Sequence, residues 1–290
     1  MLMKWLVFLA IVAGVVSHAD AASTIDAANR YAYGANIGWM DWRGDTNNGA
    51  VIGNYVCSGY IYSANVGWIN LGGGSPTNGI HYQNLSANDF GVNQDGLGNL
   101  RGYAYGANIG WIAFENTGAP KVDLFTGNLS GSVWSANCGW ISLSNAVAYV
   151  QTDIITPGAL APDGLPIAWL LTNFGTTNVN ANADPDGDGM SNMQEYLAGT
   201  DPNNPNDSLK ITAIGVNFVS GNDNDTLTWI SHPTRQYQVQ ENTNLVSGAW
   251  ENAGSLFSPD SGMSTMRILQ LSSPASQRFF RVQAIQPLAH

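Results

Sequence analysis

The sequence predicts a mainly β protein, with two β regions separated by a short helical segment. Three observations carry that expectation. A twelve-residue pattern of alternating aromatic and small residues, broken by Ala-Asn-x-Gly, occurs four times before residue 145. A run of acids interleaved with glycines, 184–195, interrupts the β pattern, and short alternating strands resume after Leu209.

The chain has 290 residues, of which 44% are hydrophobic and 11% charged, with 33 glycines. That composition suits a globular, turn-rich protein of two or three domains. The net charge of −11 opposes binding to nucleic acid phosphates and anionic membranes, so neither is an expected partner. Lys4 precedes an apolar run from Trp5 to Val16, and Ala19-Asp20-Ala21 forms a small-x-small cleavage site. The first 21 residues therefore read as a secretory signal peptide. The run is shorter than the roughly 20 residues a membrane helix needs, so no membrane insertion is expected after cleavage. The expected location is extracellular or at the cell surface, with the periplasm as an alternative. Export leaves Cys57 and Cys138 as a candidate disulfide or, alternatively, two buried free thiols.

The four repeats begin at Tyr31, Tyr60, Tyr103 and Ser132, and the first pair maps onto the second by a shift of 72 residues. Residues 22–150 are thus expected to be a duplicated pair of β-hairpins. Asp95-Gly96 between alternating apolar residues predicts an added strand before the third copy. Alternation gives each hairpin two faces. Met40, Trp42, Ile69, Leu71, Ile112, Phe114, Ile141 and Leu143 form an aliphatic-rich face. Trp39, Trp68, Trp111 and Trp140 begin the other, with tyrosines beside them. This aromatic face reads either as packing between repeats or as a ligand platform for sugar rings. Asn36, Asn65, Asn108 and Asn137 are expected to make the turns. The closure of these hairpins, as a sandwich, a barrel or a solenoid, is open at this level, and the repeats are not assigned to a named family.

Residues 151–208 read as a Pro/Gly-rich linker with a short helix from Ile167 to Phe174, stopped by Gly175. Asp184-Pro-Asp-Gly-Asp-Gly-Met-Ser-Asn-Met-Gln-Glu195 then fits a twelve-residue calcium loop. Asp184, Asp186 and Asp188 supply carboxylates, Met190 its carbonyl, Asn192 the water-mediated position and Glu195 a bidentate carboxylate. Hard oxygen donors at this spacing select Ca2+ over softer metals. An exiting helix is expected up to Ala198, whereas 176–183 is too rich in Asn and Thr for an entering one. With Glu195-Tyr-Leu-Ala-Gly-Thr-Asp-Pro202 following, residues 163–207 resemble the EF-hand-like or thrombospondin type 3-like calcium repeats of modular bacterial exported proteins. The resemblance implies a rigid spacer and implies no catalysis.

From 209 to 290, strands at 209–216, 226–230, 236–241, 265–271 and 278–285 predict an antiparallel sandwich. Leu227-Thr228-Trp229, the stretch 235–240 and Arg278-Phe-Phe-Arg-Val282 resemble fibronectin type III-like tail modules. Trp229, Tyr237 and Phe280 are expected in its core.

No HExxH, G-x-S-x-G or phosphate-binding G-x-x-x-x-G-K occurs, and the mature chain holds only His81, His232 and His290. The expected function is a non-catalytic, secreted or surface structural or adhesive protein. The alternative is a carbohydrate-binding protein, with a glycan-active enzyme less favoured. A polysaccharide or another surface protein is the expected partner, and the oligomeric state is open.

Overall fold

The computed structural model describes residues 23–44, 47–216, 218–219, 222–246, 248–271 and 277–289. The expected signal peptide, Asp45 and His290 lie outside the described residues. The chain divides into two compact units, one of 180–287 and one ending at Val179 that also takes in 288–289. The expected linker, 151–208, is divided between them.

In the first unit, four hairpins are built from β1 (Ile25–Gly34), β2 (Gly38–Asp41), β3 (Cys57–Ser63), β4 (Gly67–Gly73), β5 (Leu100–Gly106), β6 (Gly110–Phe114), β7 (Ser132–Ser135) and β8 (Gly139–Ser142). Each strand pairs with the next, and β8 pairs back onto β1 through Tyr33 with Ser142 and Gly34 with Ile141. The result is a closed, eight-stranded antiparallel barrel, which settles the question of closure and leaves these strands no edge. Its stagger is regular. Within the first hairpin Tyr33 faces Trp39, but the neighbouring strand meets β2 two residues further on, Asp41 facing Tyr62. The same offset recurs where Asn70 faces Tyr105, Ala113 faces Trp134 and Ser142 faces Tyr33. Four such offsets tilt the strands as a small filled barrel requires.

Alternation places the aliphatic face inside. Ala32, Met40, Trp42, Ile61, Ile69, Leu71, Ala104, Ile112, Phe114, Val133, Ile141 and Leu143 are all buried and share one core. They leave a void of only about 10 Å³. This interior is a packed core and not a channel.

The hairpin turns close one end. In the first, the Ile37 N–H donates to the Gly34 carbonyl and Gly38 adopts φ +74°, a type I turn followed by a left-handed glycine. That geometry turns the x residue of Ala-Asn-x-Gly inward: Ile37, Val66, Ile109 and Cys138 are buried in the core. It also aims each Asn at its neighbour. Asn65 Nδ2 donates to the Ile37 carbonyl, Asn108 to Val66, Asn137 to Ile109 and Asn36 to Cys138. The turn asparagines thus form an unbroken ring of inter-hairpin bonds.

The strand expected around Asp95-Gly96 is present as Val92–Gln94, paired with β5. A bulge at Gly59 (φ +82°) lets another backbone cross: a Cβ there would lie 2.2 Å from the Gly49 carbonyl oxygen. Helix α1 (Ile167–Phe174) begins after Pro166 and ends at Gly175 in the left-handed region. It belongs to the barrel unit, where Leu171 lies against Gly79. Cys57 and Cys138 are both buried free thiols, so the candidate disulfide is not formed. The reason is position: Cys138 plugs the turn end, whereas Cys57 opens β3 a full strand away from the Ser63 turn.

The second unit contains α2 (Asn192–Ala198), β9 (Ile211–Gly215), β10 (Asn222–Ile230), β11 (Gln236–Asn242), β12 (Ser264–Leu271) and β13 (Phe279–Ile285). β9 and β12 flank β10 in one antiparallel sheet, and β11 pairs with β13 in another. Leu227, Trp229, Tyr237, Val239, Leu269, Leu271, Phe280 and Val282 share one buried core. Trp229 and Tyr237 are fully buried, as their place in the alternation implies.

Candidate metal centre and aromatic surface

The acidic loop is shaped by its own backbone. Gly187 and Gly189 adopt φ +78° and +96°, and their N–H groups donate to the two carboxylate oxygens of Asp184 at 2.8 and 3.0 Å. The N–H groups of Asp188 and Met190 likewise donate to Asp186 and Asp188. One carboxylate oxygen from each of Asp184, Asp186 and Asp188 lies within 4.8 Å of the others. Ser191 then starts α2 with a reciprocal capping box: its hydroxyl accepts from the Gln194 N–H, and the Gln194 side chain accepts from the Ser191 N–H.

That helix brings Glu195 to the loop. Its carboxylate is fully buried, yet neither oxygen has a hydrogen-bond partner. The same holds for Asp186 Oδ2, Asp188 Oδ2, Asn192 Oδ1 and Thr200 Oγ1. Burial, followed by the charges of Asp186, Asp188 and Asp184, pushes Glu195 up to about 8 in the metal-free chain. Asp186 is also raised, first by burial. Orphaned buried oxygens cost several kcal/mol each unless something compensates them. A hard divalent cation does so, and the donor set of carboxylates and one amide oxygen fits calcium.

Residues 184–205 match the bacterial TSP3 repeat. The TSP3 repeat is a calcium-binding type, and its match spans the acid cluster. No curated protein and no solved structure matches the chain.

The structure clusters Asp184, Asp186 and Asp188, and Glu195 lies near enough to feel their charges. Asn192 is fully buried, its Nδ2 donating to the Asn180 carbonyl while Oδ1 has no hydrogen-bond partner. Met190 contributes something the sequence did not reveal. Its side chain is buried in the core with Ala198, Leu209, Leu227 and Trp229, and its sulfur accepts from the Leu209 N–H. Arg235 adds a second tie, donating to the Tyr196 and Leu197 carbonyls at the end of α2. The TSP3 repeat is therefore built into the C-terminal unit and is not a free-standing spacer. Asp207, beyond the matched segment, is engaged by the Asp201 N–H and by His232 Nε2 at 2.9 Å.

The aromatic face lies on the outside of the barrel. Trp39, Trp68, Trp111 and Trp140 are 45–46% exposed. Each pairs with the ring across its own hairpin: Tyr33–Trp39, Tyr62–Trp68, Tyr105–Trp111 and Trp134–Trp140, at 4.8–5.1 Å between centroids. Because of the stagger, Asp41, Asn70, Ala113 or Ser142 stands next to the following hairpin's aromatic. The rings consequently form four separate clusters and not continuous rows. Phe90 joins the third cluster, 5.1 Å from Trp111. It escaped the sequence reading because it lies outside the repeat; the apolar pair Leu85 and Phe90 in an otherwise polar loop is the signal that marks it.

Proposed function

We propose that the chain is an exported, non-catalytic structural or adhesive protein whose TSP3 repeat binds calcium and so holds the C-terminal unit in its folded form. The observation that carries this reading is the fully buried, unpartnered Glu195 carboxylate, close enough to three clustered aspartates to feel their charges. TSP3 repeats of this type occur in extracellular proteins, in keeping with the signal peptide expected from the sequence. No helix among the described residues is long and apolar enough to cross a membrane. β2, β7 and β8 have four residues each, against the roughly nine to eleven of a membrane-spanning strand. The non-catalytic reading draws on the barrel's acids. Asp41 is paired with Arg30 at 3.3 Å, and hydrogen bonds led by the Thr77 hydroxyl lower Asp89, the reverse of what a general acid needs. Calcium titration of the purified mature chain tests the reading. Thermal stability must rise with calcium and fall on chelation, and an unchanged melt overturns it.

The exposure of the four tryptophans favours a second reading, in which the same protein binds carbohydrate through its aromatic clusters. Polysaccharide pull-downs with Trp68→Ala and Trp111→Ala variants test it. No retention of the folded parent chain on any glycan leaves the structural reading alone.

A further inference from the structure

We infer that the third hairpin alone carries a built sugar-binding cleft, which takes the ring of an uncharged pyranoside between Trp111 and the loop around Leu85. The inference rests on the carbohydrate-binding reading and narrows it from four clusters to one. The repeats give four similar aromatic clusters, and among the described residues it is the third that the loop 84–90 walls into a cleft of about 530 Å³, lined by Asn84, Leu85, Ser86, Phe90, Tyr103 and Trp111 among others. That volume lies in the range of small-molecule sites. Trp39, Trp68 and Trp140 lie outside it.

Three properties argue for a neutral sugar. First, the walls pair apolar surface with polar edges: Leu85 is 89% exposed at the lip, Trp111 46% exposed, and Asn84, Ser86 and Tyr103 stand beside them. A pyranose has apolar C–H faces and a hydroxylated rim, which match such a site. Second, the lining holds no charged side chain, and the chain's net charge of −11 opposes anionic glycans. By contrast, the first cluster has the Arg30–Asp41 ion pair and the Arg30 guanidinium 5.2 Å from the Tyr31 ring. In the fourth, Gly118 packs so closely that a Cβ there would lie 2.9 Å from the Trp140 ring.

Third, the cleft is preorganised. Phe90 stands edge-on to Trp111 at 83° and to Tyr105 at 71°, which fixes the ring that a sugar would stack on. The loop is pinned by Asn84, whose Oδ1 accepts from the Gly91 N–H at 3.0 Å and whose N–H donates to the Asp89 carbonyl. The Asp89 carboxylate in turn accepts from the Thr77 N–H and hydroxyl and from the Gln83 N–H. A wall held this way loses little entropy on binding.

The test uses the calcium-loaded mature chain in affinity electrophoresis through hydroxyethylcellulose, laminarin, mannan and galactan, with alginate as the anionic control. Retardation by a neutral polysaccharide is expected, weakened at least tenfold by Trp111→Ala, Phe90→Ala or Leu85→Asp. Trp39→Ala, Trp68→Ala and Trp140→Ala should change it less than twofold. Leu85→Asp alters an exposed side chain and keeps the test decisive if Trp111→Ala impairs folding. Equal losses at all four tryptophans, or insensitivity to Leu85→Asp and Phe90→Ala, overturn the single cleft while preserving the carbohydrate reading. Retardation by alginate alone overturns the neutral ligand. Absence of any retardation overturns both readings, and a dimer that Leu85→Asp dissociates assigns the cleft to a second copy of the chain.

Discussion

Asn36, in the first hairpin turn of the barrel, donates from Nδ2 to the carbonyl of Cys138 in the last, at 3.0 Å. This bond joins the two ends of the strand order and completes the ring made by Asn65, Asn108 and Asn137. Asn36→Ala is expected to destabilise the barrel by about 1 kcal/mol, the usual net value of one hydrogen bond. Asn36→Asp should cost more, since it replaces the amide donor with a carboxylate facing a carbonyl oxygen. Urea unfolding followed by tryptophan fluorescence measures both.

Calcium should act on the C-terminal unit, because Met190 and Ala198 belong to its core. At a hundredfold excess over the dissociation constant, binding to the folded state alone adds about 2.7 kcal/mol. Calorimetry with and without a chelator is expected to move the transition of this unit. Glu195→Gln should abolish that response while leaving the metal-free unit at least as stable, since a neutral amide stands where the metal-free fold otherwise holds a carboxyl that must stay protonated.

The metal-free chain should show a pH dependence of unusual sign. Glu195 is raised to about 8 when folded, whereas an unfolded glutamate titrates near 4.5. Between those values the folded form holds the extra proton, so stability falls as pH rises from about 4.5 to 8. Melts in chelator at pH 5 and pH 8 check this, and calcium at pH 8 should restore the loss.

Two tryptophans of the barrel, Trp42 and Trp68, illustrate its two faces. Trp42 is 2% exposed in the core, and Trp42→Ala should cost about 3–5 kcal/mol. Trp68→Ala, on the outer face, should cost far less. Chemical denaturation of the two variants distinguishes them, and similar losses would contradict the assignment of faces.

Neither cysteine should react in the folded protein. Burial pushes the Cys57 thiol up to about 12, and Cys138 is also buried. Intact-mass analysis after iodoacetamide treatment should show no adduct in native buffer and two in denaturant.

Much of this architecture was legible in the sequence because it depends on local chemistry. Alternation assigned Ile69 and Ile112 to one face and Trp68 and Trp111 to the other, and the acid spacing located the TSP3 loop. Closure was not legible, since it rests on the pairing of Tyr33 with Ser142, which no local pattern encodes. The asparagines read as turn makers because their partners lie one hairpin away. The apolar x of each turn, Ile, Val, Ile and Cys, was the overlooked sign that the turns face a core. Likewise, Met190 fits the loop by its backbone, while its buried side chain becomes visible only once the sandwich core is formed.

The seal between β8 and β1 also sets an order of events. Tyr33 cannot find Ser142 until the fourth hairpin has been made, so every shorter nascent chain exposes two unpaired strand edges. Local hairpins can form early, but the final step joins distant parts of the chain and should be slow. A chain synthesised from its amino terminus thus stays open at this seam until residue 142 has followed.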